Sequence, residues 1–340
     1  MFLPFIKKKI TQSIYSKRSS VAKGIGKKIN FNGELKYHVY SFGKKYPSKK
    51  FYVIQRYLGG GMFSNLNYVL HHITKSLQLG CIPIIDMKNF PTKYNEKKKL
   101  KNTSNAWEYY FKPLNKYKLE DVYNSKFVII SDGKTRGKDE FDEFKKIHYP
   151  IFRKYIKIKK EILDEARNFS KKNFTSKKVL GVHFRGTDMK TQERHPYPST
   201  IGQITSYIDY EISKFNYKKI FLVTEDLHYL NNLKEKYKDK LCYYNSFRSL
   251  KSDIFNHHRK NHRYLIGKEN IIDMILLSNT RSIICTNSHL VDASNFIRNF
   301  KIKLIKIDNG YNSNNLLLAQ FSWYIKKLFP EFLGGFKFKK

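Results

Sequence analysis

Apolar runs in the second half of the chain predict a sheet of buried strands. Runs that begin at Val179, Lys219 and Ser282 are rich in Val, Ile, Leu and Phe, which is typical of strands covered on both faces. Helical patterns follow the second and third runs, at 227–237 and 289–298. Strands that alternate with helices in this way predict an α/β fold with a parallel sheet.

Each of these runs ends on polar residues. Arg185 follows the first run, Glu225 and Asp226 close the second, and Ser288 closes the third. The carboxyl ends of parallel strands meet at one edge of the sheet, where α/β proteins bind their ligands. Because a guanidinium can fork onto phosphate oxygens, Arg185 is predicted to be a phosphate ligand. The alternative is a pairing of Arg185 with Asp188 that only fixes the turn.

A glycine-rich turn is the clearest pattern in the first half of the chain. A strand over 51–57 and an amphipathic helix over 63–79 flank Gly59, Gly60 and Gly61, so the backbone can turn tightly and approach a ligand. No Gly-Lys-Ser/Thr follows, and the third glycine of a dinucleotide fingerprint is missing. The alternative is a plain strand-to-helix turn.

Taken together, these patterns resemble a family of fucosyltransferases. His-x-Arg-x-Thr-Asp at 183–188, Phe-Leu-x-Thr-Glu-Asp at 221–226 and Ile-Cys-Thr-x-Ser at 284–288 are similar, in that order, to three motifs of alpha-1,6-fucosyltransferases, nodulation fucosyltransferases and protein O-fucosyltransferases. The Gly-rich turn at 58–66 and an apolar helix at 270–278 with one Asp also fit the family. The resemblance implies an α/β fold of the GT-B type, with two Rossmann-like domains facing across a cleft, and an enzyme that uses GDP-fucose.

The resemblance also implies roles for single residues. Arg185 would hold the nucleotide diphosphate, and Glu193 or Asp188 would be the catalytic base. Two prolines within 189–199 predict a loop over the crevice, on which Glu193 is alternatively a solvated residue. The substrate-binding candidates at matching or nearby positions are Gly60, Gly61, Asn65, His183, Thr224, Glu225, Asp226, Arg263, Asp273, Thr286, Asn287 and Ser288.

Two positions depart from the family's pattern. Glu225 stands where the family has an Asp, which is a conservative change. Gly186 stands where many alpha-1,6-type members carry a second Arg, which puts one phosphate or acceptor contact in doubt.

The residue types favour a reaction without metal. Negative charge accumulates on the leaving diphosphate as the glycosidic bond breaks. No Asp-x-Asp element follows a strand end, whereas an Arg and helix N-termini can stabilise that charge. The resemblance, with which these residue types agree, implies inverting transfer of fucose from GDP-fucose to a glycan hydroxyl, in the synthesis of surface polysaccharide or glycoconjugate, with no metal or other cofactor.

The charge of the chain widens the set of ligands to consider. With 66 Lys and Arg against 28 Asp and Glu, the net charge of +38 attracts polyanions of every kind. No RNP, zinc-finger or helix-turn-helix signature is present, so we do not expect specific nucleic-acid binding. Two alternatives to a fucosyltransferase stay open: a related GT-B transferase with another nucleotide sugar, and a non-catalytic polyanion-binding protein on the same fold.

Both ends of the chain combine cations with apolar residues. Residues 1–28 begin with an apolar stretch followed by lysines, and 321–340 mix aromatic residues with Lys. This composition suits an anionic membrane surface and a lipid-linked glycan acceptor, with packing on a neighbouring domain as the alternative. No apolar stretch approaches the roughly twenty residues of a membrane span, and the positive run follows the apolar start, unlike a signal peptide.

Cysteine usage and segment patterns complete the prediction. Three cysteines, two of them in strand-like runs, indicate buried thiols in a reducing compartment. We expect a cytoplasmic protein that binds peripherally to the inner face of the membrane. Four segments are predicted: a basic N-terminal segment 1–34, an acceptor-side Rossmann-like domain 35–165, a nucleotide-sugar domain 166–310 and a basic aromatic tail 311–340.

Overall fold

The chain divides into two compact units, each with its own sheet. The computed structural model describes residues 25–31, 35–57, 59–131, 141–174, 176–186, 188–250 and 254–339; for 25–31, 35–38, 141–146 and 188 it gives the backbone alone. The units are Met1–Lys157 and Ile158–Lys340. The boundaries of the four segments inferred from sequence remain predictions.

The first unit contains a mixed sheet. Its strands are β1 (Ile25–Phe31), β2 (Leu35–Ser41), β3 (Phe51–Ile54), β4 (Ile82–Ile85) and β5 (Val128–Ile130), in the order β1-β2-β5-β3-β4. Strand β3 runs parallel to both β4 and β5, whereas β1 and β2 form an antiparallel hairpin that joins the sheet through β5. The parallel part has its first strand, β3, in the middle, as flavodoxin-like sheets do, and the hairpin extends the β5 edge of it.

Helices of the first unit follow its strands. They are α1 (Met62–Gln78), α2 (Trp107–Tyr110), α3 (Leu119–Val122) and α4 (Phe141–Tyr155). The turn from β3 into α1 contains Gly59 with a φ of 54°, a left-handed conformation that favours glycine. The aromatic residues of α2 are buried, and so is Phe111 directly after it.

The second unit contains a wholly parallel sheet. Its strands are β6 (Val179–His183), β7 (Lys219–Val223), β8 (Leu241–Cys242), β9 (Ser282–Cys285) and β10 (Lys303–Lys306), in the order β10-β9-β6-β7-β8. The first strand lies in the centre, the next two follow on one side, and the last two lie on the other. This is the Rossmann strand order, and it reverses between β6 and β9.

Helices cover both faces of this sheet. They are α5 (Lys160–Asn173), α6 (Ile201–Phe215), α7 (Leu227–Tyr237), α8 (His262–Ser278), α9 (His289–Ile297) and α10 (Leu316–Leu328), with 3-10 turns at Asp188–Lys190, Lys238–Lys240 and Glu331–Leu333. Leu180, Val182 and Phe184 pack in one core with residues of α6 and α7. Gly181 points to the other face and packs against Leu277 and Thr280 at the end of α8.

The cysteines are buried free thiols. Burial raises the pKa of Cys81 and Cys242 to about 11 and that of Cys285 to about 12, so the sulfurs stay protonated at neutral pH. Within the described residues, none of the helices combines the length and apolar character that crossing a membrane requires.

Candidate functional site

Three loops at the carboxyl edge of the second sheet form the candidate site. We call it the strand-tip site: residues 184–186 after β6, 224–226 after β7 and 286–288 after β9. His183 at the end of β6 pairs with Val223 of β7 and with Cys285 of β9, so the three tips are neighbours. The reversal of strand order between β6 and β9 is where open α/β sheets bind their ligands.

Arg185 and Glu225 link the first two tips. The Nε atom of Arg185 lies 3.6 Å from Oε1 of Glu225, and the backbone N–H of Gly186 donates to the same oxygen at 3.3 Å. The Arg185 side chain is 40% exposed, so an anion from solvent can reach it. The departure to Glu at 225 therefore has a structural use, because the longer carboxylate reaches the turn after β6.

Gly186 lies against an aromatic stack. A β-carbon at Gly186 would be 2.2 Å from Cε2 of Tyr229. The Tyr229 ring stacks on Phe184 with 3.8 Å between ring centroids and an interplanar angle of 8°. The second Arg of the family's motif has no space here, since the Tyr229 ring occupies it.

Asp226 caps the helix that follows β7. Its Oδ1 accepts from the backbone N–H groups of His228 at 2.9 Å and Tyr229 at 3.2 Å, which satisfies the first turn of α7. Its Oδ2 lies 3.8 Å from Nζ of Lys190, whose ammonium lies 4.7 Å from the Tyr229 ring centroid. Thr224 accepts from the Asp226 N–H at 3.2 Å. Both buried residues of this tip thus hold the loop in shape.

The third tip leads into α9. Ser288 caps α9 by accepting from the backbone N–H of Leu290 at 3.3 Å. Thr286 is buried, and the Asn287 amide donates to the Tyr311 hydroxyl at 3.2 Å. The N-terminus of a helix of nine residues therefore begins at the tip of β9, beside β6.

His183 is a neutral, fully buried imidazole. It lies two residues after Gly181 in β6, hence on the face that α8 covers. Burial, and secondarily the charge of Arg185, lower the pKa of His183 to about 3. Its Nδ1 atom has no hydrogen-bond partner among the described residues.

Asp273 of α8 is a buried acid, and the half-buried Arg248 of the loop after β8 is linked to it through Ser246. We call Ser246, Arg248 and Asp273 the Arg248–Asp273 cluster. Asp273 stands one helical turn before Leu277, on the side of α8 that faces the sheet. Ser246 Oγ donates to Asp273 Oδ2 at 2.9 Å, and Arg248 donates to the carbonyl oxygens of Ser246 at 2.8 Å and Tyr244 at 2.9 Å.

The charges in this cluster are poorly solvated. Burial raises the pKa of Asp273 to about 7, although the Arg248 charge and the Ser246 hydroxyl act to lower it. Burial likewise lowers the pKa of Arg248. Asp273 Oδ1 and Arg248 Nε have no hydrogen-bond partner among the described residues. Buried polar atoms of this kind call for water or a ligand.

Other candidates lie apart from these contacts. Glu193 is exposed on the predicted loop over 189–199, whose first two residues belong instead to the 3-10 turn Asp188–Lys190, and its carbonyl oxygen is 2.9 Å from Nδ1 of His195. The loop is pinned where Tyr197 N–H donates to Gly310 O at 2.9 Å. Arg263 is half-buried in the first turn of α8. The side chain of Asp188 lies outside the described residues.

Three candidates belong to the first unit. Asn65 is buried and folds back on Gly60, accepting from its N–H at 2.9 Å and donating to its carbonyl at 3.3 Å. Gly61 precedes the first residue of α1, and a β-carbon there would meet nothing within 4 Å. Within this unit, Asn65 holds the turn together.

Sequence patterns missed Arg248, Lys190 and Tyr229. Arg248 follows β8, a strand of two residues that carries too short an apolar run to be recognised. The loop after β8 reaches the strand-tip site because Ser249 N–H donates to the Glu225 carbonyl at 3.0 Å. A parallel sheet of this kind needs a further strand between α7 and α8. Searching residues 238–261 for that strand would have indicated the loop that carries Arg248.

No grouping of metal ligands marks the site. Across the parts of the chain that the structure describes, no three His, Cys, Asp or Glu side chains are arranged as a metal centre. The polar groups at the strand tips are a guanidinium, hydroxyls, amides and carboxylates that already have partners.

This chain is similar to known proteins in its structure and not detectably in its sequence. No family model matches the sequence, and no curated protein sequence matches it significantly. NodZ alpha-1,6-fucosyltransferase co-crystallized with GDP has a TM-score of 0.53 at 17% identity, over 77% of this chain and 96% of that chain.

Two further structures are similar at lower scores. Fucosyltransferase NodZ from Bradyrhizobium has a TM-score of 0.49 at 17% identity, over 79% of this chain and 100% of that chain. A variant of Arabidopsis thaliana FUT1 in complex with GDP has a TM-score of 0.47 at 11% identity, over 77% and 71%. On the similarity to the GDP co-crystal structure, the chain has a fucosyltransferase-like α/β fold of the GT-B kind, which confirms the fold class expected from the motifs, whereas the facing of two domains across a cleft remains a prediction.

Proposed function

We propose that this protein is an inverting, metal-independent glycosyltransferase that transfers fucose from GDP-fucose to a glycan hydroxyl in surface polysaccharide or glycoconjugate synthesis. The observation that carries the proposal is the position of Arg185. It stands at the reversal point of a Rossmann-ordered sheet, in a chain whose fold resembles a fucosyltransferase co-crystallized with GDP.

The donor diphosphate would bind between Arg185 and the start of α9. Arg185 supplies a partly exposed guanidinium at the tip of β6. The N-terminus of α9 supplies a positive dipole end at the adjacent tip of β9. As the sugar–phosphate bond breaks, both stabilise the charge that develops on the leaving GDP, because they are preorganised by the sheet.

The nucleotide would lie toward α8. His183 Nδ1, Asp273 Oδ1 and Arg248 Nε are buried polar atoms without partners among the described residues. A purine base with donors and acceptors on its edge can satisfy atoms of both kinds. In its chemistry a guanine base would suit this mixed set, because its edge pairs a carbonyl acceptor with N–H donors.

Glu193 is our proposed catalytic base, with Asp188 as the second candidate. Inversion requires a group that takes the proton of the acceptor hydroxyl opposite the leaving diphosphate. Glu193 is exposed on a loop anchored at Tyr197, so its carboxylate is available to an acceptor from solvent.

Nucleotide binding tests the proposal directly. We would measure calorimetric binding of GDP, UDP and GDP-fucose with EDTA present, to wild type and to Arg185→Ala. The loss of one charge-assisted phosphate contact should weaken GDP binding by about 1.5–3 kcal/mol, roughly 10- to 150-fold. Arg281→Ala is the matched control, because Arg281 is exposed and directly precedes β9 at the opposite edge of the same sheet.

The outcomes separate the alternatives. Equal losses in both variants would contradict a phosphate site at Arg185. Tighter binding of UDP than GDP would indicate a transferase for a different nucleotide sugar. Absence of nucleotide binding, together with heparin binding that weakens steeply with salt, would favour a polyanion-binding protein.

A further inference from the structure

The most apolar exposed surface of the described chain is on its C-terminal helix and the turn that follows it. We use the name C-terminal face for six exposed apolar residues: Leu317, Phe321, Ile325, Leu328, Phe329 and Phe332. Leu317 is 74% exposed, and Leu328 and Phe332 are each 84% exposed. We propose that the C-terminal face lies on the surface of an anionic lipid bilayer.

Helical spacing gathers three of these residues on one side of α10. Leu317, Phe321 and Leu328 are separated by four and seven residues, so they line one stripe of α10. The buried stripe consists of Ala319 and Trp323, which point the other way. An amphipathic helix normally turns its apolar side to the core, whereas here both sides are apolar and one is left outside.

The helix is fixed firmly to the second unit. Trp323 is 5% exposed, and its indole N–H donates to the Pro198 carbonyl at 2.8 Å. Its ring lies 5.8 Å from that of Phe336, which is also buried. Asn312 donates to the Ala319 carbonyl at 3.0 Å from the same side. The apolar stripe is therefore presented on a rigid support.

The length of α10 suits a position along a membrane. Its 13 residues rise about 20 Å, less than the roughly 30 Å of a hydrocarbon core. Leucine and aromatic side chains on one such face insert into the boundary between headgroups and acyl chains. The helix would then lie parallel to the bilayer.

The charge of the same C-terminal segment selects the lipid. Residues 311–340 contain five lysines and one acidic residue, Glu331. Lys327, Lys337 and Lys339 are exposed. Flexible lysine stems let the ammonium groups reach anionic headgroups while the apolar side chains insert. A second copy of the chain fits this face poorly, because a net charge of +38 makes two copies repel each other.

Vesicle flotation tests the apolar part of the face. Wild type should float with vesicles of phosphatidylcholine mixed with phosphatidylglycerol and stay behind with phosphatidylcholine alone. The variant Leu317→Ser/Phe321→Ser/Leu328→Ser should lower the partition coefficient at least about tenfold. Leu250→Ser is the matched control, since Leu250 is an exposed leucine elsewhere in the same unit and should leave flotation unchanged.

Two further variants, which have the same net charge as each other, test whether the position of the lysines matters. Replacing Lys327, Lys337 and Lys339 by Gln should weaken flotation on the order of 100-fold at low salt, since each cation near an anionic surface contributes about fivefold. Replacing Lys97, Lys98 and Lys99 by Gln removes the same charge from an exposed stretch of the first unit. That control should have a much smaller effect.

Three results would overturn the membrane proposal. One is flotation of the serine variant equal to wild type. Another is an equal loss in the two lysine variants, which would mean that only overall charge matters. The third is a dimer on gel filtration that the serine variant abolishes, without any flotation. Circular dichroism and GDP calorimetry on the same variants separate this proposal from misfolding and from the proposed nucleotide site.

Discussion

Gly186 has no space for a side chain because the Tyr229 ring lies where a β-carbon would be. The ring cannot move aside easily, since it is buried and stacked on Phe184, with the Lys190 ammonium nearby. The Tyr229 ring therefore limits which side chain position 186 can hold.

We predict that Gly186→Ala destabilises the protein by about 1–3 kcal/mol, because overpacking forces a buried aromatic residue out of place. Urea unfolding followed by circular dichroism would measure the change. Gly61→Ala is the control, as a β-carbon at Gly61 meets no atom within 4 Å. Equal stability of Gly186→Ala and Gly61→Ala would contradict the prediction, and Tyr229→Leu should partly rescue Gly186→Ala.

His183 and Asp273 respond to pH in opposite directions. The folded-state pKa of His183 is held at about 3, below its ordinary value near 6.5, so its contribution to stability is present above about pH 6.5 and lost as the pH falls. The pKa of Asp273 is raised to about 7, so its contribution is present below about pH 4 and lost as the pH rises. Burial causes both shifts, since each group is more stable uncharged.

We therefore predict that His183→Gln flattens the acid side of the stability curve. Between about pH 6.5 and pH 4 the wild type should lose up to roughly 3 kcal/mol through His183, relative to the variant. Urea unfolding at several pH values measures this, and His195→Gln serves as the control because His195 lies half-exposed in a loop. Parallel curves for wild type and His183→Gln would contradict it. Comparing variants is essential, since Asp273 changes stability the opposite way in this window.

At the scale of elements, the strand-to-helix junctions decide what the strand tips can do. The end of β7 passes into α7 through Asp226, which caps the helix with two hydrogen bonds. The end of β9 passes into α9 through Ser288, which caps it with one. Asp226 and Ser288, which are predicted to bind substrate, thus also cap helices. Substitutions that keep the cap can separate the capping role from the binding role.

We predict that Asp226→Ala costs about 1–2 kcal/mol of unfolding free energy, whereas Asp226→Asn costs less, because Asn retains the cap. Thermal or urea unfolding measures both. The affinity of the Asp226→Asn variant for GDP then shows whether the negative charge of Asp226 has a role in nucleotide binding besides capping. Asn315→Ala, which removes the cap of the exposed helix α10, is a comparison of the same kind. Equal losses in the Ala and Asn variants of Asp226 would contradict a capping role.

Elements with long apolar runs could be predicted from the sequence, and short or exposed ones could not. The helix at 227–237 was predicted at its observed bounds, and β6, β7 and β9 at their starts. Strand β8 has two residues and β10 is partly exposed, so neither has a distinctive pattern. The β1–β2 hairpin did carry a signal, because Asn32-Gly33, outside the described residues, is a typical hairpin sequence. Arg248 was missed because only tertiary contacts bring it to Asp273.

At the scale of the whole molecule, charge is the dominant property. With 66 basic and 28 acidic residues, more than half of the basic residues cannot have an acidic partner of their own. Several ion pairs that form are on the surface, such as Lys160 with Asp164 and Lys236 with Asp209. Surface pairs of this type contribute little, so repulsion among the remaining cations opposes the folded state.

We predict that the midpoint of thermal unfolding rises as NaCl is added from low to moderate concentration, because salt screens this repulsion. Differential scanning calorimetry would measure the midpoint, with KCl at equal ionic strength as the control. A midpoint that falls or stays constant would contradict the prediction.

The buried thiols allow local unfolding of the two units to be measured separately. Alkylating reagents attack the thiolate, and burial both hides these sulfurs and keeps them protonated. Cys81 precedes β4 in the first unit, whereas Cys242 and Cys285 end strands of the second. Mass-resolved labelling of the unmodified chain would therefore time the loosening of the two sheets independently, without any engineered probe.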